Sequence, residues 1–140
     1  MHYMSAGHRL LDEGQGPHRE NIARIELGTD ATGVRRRLCC AACGSPVTER
    51  DQAMRMAGEH IHKCSNPVGF SFVVGCFRSA PGCVAVGEPS AYWSWFAGFR
   101  WQVALCRACA VQLGWRFSGE TPFYALILDS VRDCTAGPDA

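Results

Sequence analysis

Two pairs of thiols, Cys40-Ala41-Ala42-Cys43 and Cys106-Arg107-Ala108-Cys109, are the residues of this chain best suited to chemistry. Cysteines two residues apart can be offered by one tight turn to a single ion. Four thiolates in a tetrahedron suit Zn2+, which imposes no geometry of its own. A shell closed by four sulfurs leaves no place for water or substrate, so the expected role is structural. Cys39 adjoins the first pair, but only Cys40 has the two-residue spacing to Cys43. A thioredoxin-like pair would open a helix after a strand, and neither knuckle has that context. The expected ligand set is therefore Cys40, Cys43, Cys106 and Cys109 around one Zn2+, joining distant segments and adding directly to folding free energy. Cys64, Cys76 and Cys83 read as core cysteines, and Cys134 as part of a tail.

A second set of residues could bind rather than coordinate. Trp95, Trp101 and Trp115 fall close together, with turns expected at Gly98 and Gly114. One tryptophan is ordinarily core material. Three around glycine turns can instead wall a shallow cavity, holding either a cation by the ring quadrupole or a flat neutral ring whose polar edge meets backbone groups. Periodicity leaves both open. His60 and His62 would share a face on a strand, but with no third ligand or orienting carboxylate they make a weak metal site.

The elements that must position these groups are mostly strands. Residues 69–77 are apolar, aromatic and β-branched, and residues 83–87 form a second short strand. Phe99, Trp101, Val103 and Leu105 alternate with Arg100, Gln102 and Ala104, Leu113, Trp115 and Phe117 share a face, and residues 123–128 are apolar again. Asn66-Pro67 marks a turn. Residues 48–62 are a short helix or an irregular excursion, and 22–27 at best a short strand. The expected organisation is a loosely held arm over 1–35, one domain over 36–130 and a tail over 131–140.

Composition removes other classes. A formal charge of +1 with 19% charged residues gives no field for a polyanion. No apolar run is long enough to span a membrane as a helix. Nine cysteines are an odd number and the N-terminus lacks an apolar signal region, which points to a reducing, cytoplasmic setting.

Taken in order, the first knuckle, Asn66-Pro67, Ser94-Trp95-Phe96, Gly98-Phe99, Trp101, the second knuckle, and Gly114-Trp115 with Phe117 resemble the thalidomide-binding (CULT) domain family of cereblon, over about residues 37 to 130. The likeness is nearest to the family's small single-domain bacterial members. It implies a β-tent: two roughly perpendicular antiparallel sheets pinned by one zinc. It further implies that Trp95, Trp101 and Trp115 form an aromatic cage with Phe117 at its base. In the family this cage takes the glutarimide of thalidomide-type compounds and cyclic imides at modified peptide C-termini, with uracil-like rings as related guests. Backbone near Trp93 and Trp95 would bond the imide, and Asn66 would border the cavity. Three positions depart from the family: Trp93 stands where animal members have histidine, Gln112 replaces a common histidine, and Phe99 a common tyrosine.

The resemblance implies a binding domain rather than an enzyme. The chain has no room for the further domains through which cereblon joins its ubiquitin ligase, so a ligase-adaptor role is not expected. Two alternatives come from other classes. A methionine sulfoxide reductase B-like oxidoreductase shares the fold but needs a late reactive cysteine, and only Cys134 follows the second knuckle. A zinc-ribbon nucleic-acid module is suggested by Arg35 to Arg37 beside the first knuckle, against the near-neutral charge.

Overall fold

The computed structural model describes residues 36–135; the expected N-terminal arm and the 22–27 strand lie outside the described residues. Within them, runs with apolar residues at alternate positions become strands. These are β1 (Arg37–Cys40), β2 (Pro46–Glu49), β3 (Ile61–Ser65), β4 (Ser71–Phe77), β5 (Cys83–Ser90), β6 (Arg100–Cys106), β7 (Gln112–Ser118), β8 (Phe123–Ile127) and β9 (Val131–Asp133). They form two antiparallel sheets, a small one ordered β2-β1-β9 and a large one ordered β3-β4-β8-β7-β6-β5. The mainly β, two-sheet expectation holds.

Each face of the large sheet has its own apolar core. On one, Phe77, Ala104, Leu113, Leu126 and Leu128 pack with Leu38, Cys40, Val47 and Val131 of the small sheet. On the other, Trp101, Trp115, Phe117, Phe123, Ala125 and Val74 are covered by Trp95 and Phe96 of the β5–β6 connection. Gly114 lies between these layers. A Cβ there would come within 2.0 Å of the Ala125 carbonyl oxygen, so only glycine lets β7 and β8 meet at this point.

Leu113 packs with the small sheet and so does not share a face with Trp115 and Phe117, and Gly114 stands inside β7 and not at a turn. In its elements and bonds the structure departs from the sequence reading at three places. Residues 48–62 carry only a 3-10 turn (Arg50–Gln52), and β3 follows at its end; the run Ile-His-Lys-Cys-Ser is too polar to announce a strand. Its buried side chains, His62 and Cys64, are the ones that alternate. The expected tail from residue 131 instead begins with β9, which pairs with β1 and closes the small sheet. Asp133 of that strand meets the guanidinium of Arg50 at 2.6 Å, and Arg50 is 2% exposed.

The third departure is covalent. Cys39 and Cys134 are joined by a disulfide. Seven cysteines stay free, the four of the knuckles and Cys64, Cys76 and Cys83. The odd count therefore divides by role, and it does not support the reducing environment inferred from it.

Candidate metal centre and aromatic site

The two knuckles are built by the same backbone bonds. In the first, Gly44 donates to the Cys40 carbonyl at 2.8 Å and Cys40 donates to Ser45 at 2.8 Å. In the second, Ala110 donates to the Cys106 carbonyl at 2.8 Å and Cys106 donates to Val111 at 2.7 Å. The residue after each second cysteine turns left-handed, Gly44 at φ 82° and Ala110 at φ 70°. Glycine takes that conformation freely; alanine does so at a cost of about 1 kcal/mol. Further bonds hold each turn to its surroundings, Ala41 to the Ser130 carbonyl at 2.9 Å and Arg107 to the Gly82 carbonyl at 2.8 Å.

The sulfurs of Cys40, Cys43, Cys106 and Cys109 all lie within 4.8 Å of one another. Cys40 and Cys109 are 3.7 Å apart, as are Cys43 and Cys106. A tetrahedron with Zn–S arms of about 2.3 Å has edges of about 3.8 Å, so the cluster is positioned to hold one structural ion of the Zn2+ type. The Ser45 hydroxyl and amide draw the Cys43 thiol down to about 6, while at Cys109 a backbone bond at Val111 is outweighed by burial and the crowding sulfurs of Cys40, Cys106 and Cys43, which push its thiol up to about 12. Cys83 faces Cys106 across β5 and β6 but stays outside the cluster. Burial first, and the neighbouring Cys106 second, push its thiol up to about 12. The register ambiguity at Cys39 is settled by its disulfide. His60 and His62 do not share a face: His60 packs edge-on against Phe77 in one core and His62 against Phe96 in the other.

The strand register gathers the aromatic residues. Trp115 and Phe117 are two apart on β7 and so share a face, with Trp101 opposite Phe117 on β6 and Phe123 opposite Phe117 on β8. Trp95 comes down from the β5–β6 connection and meets Trp115 edge to face, ring centroids 4.6 Å apart. Trp95, Trp101, Trp115 and Phe117 are all buried, at 5%, 4%, 0% and 0% exposure, so the cluster is closed by its own rings in this structure.

Two indoles are anchored by backbone. Trp95 Nε1 donates to the Ser65 carbonyl at 2.9 Å, and Trp101 Nε1 donates to Tyr92 at 2.7 Å. Asn66 caps the β3–β4 turn: its Oδ1 accepts from the amides of Val68 at 3.2 Å and Phe70 at 2.9 Å. Beside these anchored groups, three buried donors have no hydrogen-bond partner among the described residues: Trp115 Nε1, Trp93 Nε1 and Asn66 Nδ2. Leaving such a group dry and unpaired costs about 1–3 kcal/mol. Half-buried Trp93 also stands at φ 59°, a left-handed conformation that an aromatic residue rarely takes. Such strain collects at ligand clamps. Sequence reasoning had no signal for it, since positive φ in a non-glycine residue is a tertiary effect.

No family model matches the chain. Among curated proteins it is similar to protein cereblon of Drosophila persimilis, 43% identical over 60 residues that make up 39% of this chain and 10% of the relative. It is similar to protein cereblon of Xenopus tropicalis, 30% identical over 100 residues, 69% of this chain and 22% of the relative. A third match is protein cereblon of Drosophila melanogaster, 29% identical over 134 residues, 81% of this chain and 23% of the relative. The chain thus spans less than a quarter of the length of these relatives. This similarity overturns the expectation that a ubiquitin-ligase adaptor role is absent. That expectation rested on the length of the sequence, and with cereblons as relatives the length is no argument against the role. Two antiparallel sheets, a four-cysteine cluster able to hold a metal ion and a buried aromatic cluster accompany the sequence match, and the chain is similar to the cereblon proteins over the region they share.

Proposed function

We propose that the aromatic cluster binds a small cyclic imide, the glutarimide of thalidomide-type compounds or an imide formed at a peptide C-terminus, between Trp95, Trp101 and Trp115 above Phe117. The observation that carries this reading is the group of buried, unpartnered donors, Trp115 Nε1, Trp93 Nε1 and Asn66 Nδ2, on the segments that border the cluster. An imide offers two carbonyl acceptors, one N–H and an apolar methylene edge. Indole faces can pack the edge, the donors can take the carbonyls, and backbone near Trp93 and Trp95 can accept from the N–H. Because the rings touch in this structure, entry of a ligand requires the segment from Trp93 to Phe99 to move outward.

The zinc-type centre is structural in this reading: when bound, the ion holds the two knuckles and hence the ends of β1 and β6 together, and it takes no part in ligand binding. The domain binds and does not catalyse. A methionine sulfoxide reductase would use the late cysteine, but the Cys134 sulfur is joined to Cys39. We place the binding domain over residues 36–133, with β9 as its closing strand, and read its nearest kin as the bacterial single-domain members. Among the described residues no helix is long and apolar enough to cross a membrane.

The test is a tryptophan-fluorescence titration of the metal-loaded protein with glutarimide and with uracil, alongside the Trp101→Ala variant. Saturable quenching by at least one ring, lost in the variant, is the expected result. Equal behaviour of both proteins, or no response to either ring, removes the proposal.

A further inference from the structure

A cleft of about 420 Å³ lies on the other side of the molecule from the aromatic cluster, between β2 and the turn that leads into β5. Its walls are largely apolar, from Pro46, Val47, Pro81 and Gly82, and Arg37 and Arg107 border it. The walls are fixed in place. Gly82 donates to the Val47 carbonyl at 3.0 Å, and the Thr48 hydroxyl donates to Ser79 at 2.6 Å. A Cβ on Gly82 would lie 2.1 Å from the Pro46 carbonyl oxygen, so glycine is what allows the turn to approach β2 this closely. The cavity falls within the size range of small-molecule sites and needs no rearrangement to form.

The two arginines differ in a way that suits a ligand. Arg107 is pinned: its Nε donates to Pro81 at 3.2 Å and its Nη2 to Cys83 at 3.0 Å, which leaves Nη1 uncommitted. Arg37 is half-buried, and among the described residues its guanidinium makes no hydrogen bond or ion pair. Against these two cations the cleft has, among the described residues, one carboxylate, Glu49, which stands opposite Arg37 across β1 and β2, so the described lining keeps a net positive charge. A half-buried guanidinium that makes no hydrogen bond or ion pair among the described residues can take a carboxylate, whose geometry its planar fork matches.

The geometry points to a second ligand site, separate from the aromatic cluster, for a small amphipathic carboxylate whose apolar body fills the Pro46–Pro81 cleft while its anion bridges Arg37 and Arg107. The site depends on none of the residues assigned to imide binding, and failure of either reading leaves the other standing.

The test uses the full, metal-loaded chain and amide-resolved NMR. 3-Phenylpropionate is the probe, and 3-phenylpropionamide is its uncharged isostere. Saturable shifts confined to residues 37, 45–49, 81–83 and 107–108 are expected, with the amide binding about tenfold more weakly because a charge-assisted bond is lost. Arg37→Gln should weaken the carboxylate by a similar factor and leave the melting temperature nearly unchanged, since the wild-type guanidinium makes no hydrogen bond or ion pair among the described residues. Equal affinity for acid and amide, an unaltered affinity in Arg37→Gln, or shifts at Trp101 and Trp115 instead would overturn the assignment. So would contacts showing the cleft already filled by residues outside 36–135 of the same chain.

Discussion

The two faces of the large sheet are stabilised by opposite means. Toward the small sheet, order comes from specific bonds: matched knuckle turns, four sulfurs within 4.8 Å, a disulfide and a buried ion pair. Toward the aromatic cluster it comes from ring packing, with Phe117 and Phe123 stacked at 5.0 Å and Trp95 edge-on to Trp115. On that side three buried donors are left without partners. The contrast teaches that a small β domain can hold one layer by directional and covalent bonds and the other by ring packing, with the indole and amide donors of the second layer placed where a ligand can use them.

The sharpest way to break this comparison is to remove the metal. Chelation, or Cys106→Ser, is expected to abolish cooperative unfolding, a loss of the order of 10 kcal/mol, read by near-UV circular dichroism. Survival of the pinned layer with only the aromatic signal lost would reverse the assignment of roles. Cutting the disulfide is the next largest change. Its cysteines are 95 residues apart, so the double variant Cys39→Ser/Cys134→Ser should lose about 4 kcal/mol in chemical denaturation, with imide affinity unchanged.

Asp133 sharpens the same layer by charge. Burial works to raise its carboxyl, but hydrogen bonds from Thr135 and the charges of Arg50 and Arg36 outweigh it and hold the group below its ordinary 3.8. A depressed folded value means the stabilisation is complete above the unfolded pKa and lost as pH falls through the lower, folded one. Asp133→Asn should therefore be about 1–3 kcal/mol less stable near neutrality, because the charge-assisted bond to Arg50 is lost, and the gap to wild type should close below about pH 4. A gap that persists in acid would show that the carboxylate charge is not what matters.

On the aromatic side, Trp115→Phe removes an unpartnered donor while keeping a ring. Imide affinity should fall about tenfold, near 1.4 kcal/mol, with folding stability held within about 1 kcal/mol. A large loss of stability with unchanged affinity would make Trp115 a packing residue only. The smallest expected effect tests the likeness of the two knuckles. Ala110→Gly, which copies Gly44, should raise stability by about 1 kcal/mol in the same denaturation assay.

How much of this was legible in the sequence follows from what each feature depends on. The CxxC spacings fix a local turn, so the ligand set could be read directly, and the Asn66-Pro67 turn likewise. Alternation exposed β6 and β7, because their neighbours impose a two-residue period on side chains, and continuous apolar runs exposed β4 and β8, which are buried along much of their length. β3 escaped because the polar residues His62 and Ser65 occupy buried positions there, and β9 because a three-residue strand with one buried apolar side chain leaves no periodic signal. The Cys39–Cys134 bond escaped because an odd cysteine count hides any pairing that coexists with a metal cluster.

By itself the sequence determined the zinc-type knuckles, the mainly β character and the set of aromatic residues, all properties of spacing and residue type. Only the tertiary structure decided that Cys39 faces Cys134, that Asp133 neutralises Arg50, and that the tryptophans meet as a closed cluster with donors left unpaired. Those are relations between residues tens of positions apart, set by strand order and register, and no local pattern encodes which distant group will lie opposite.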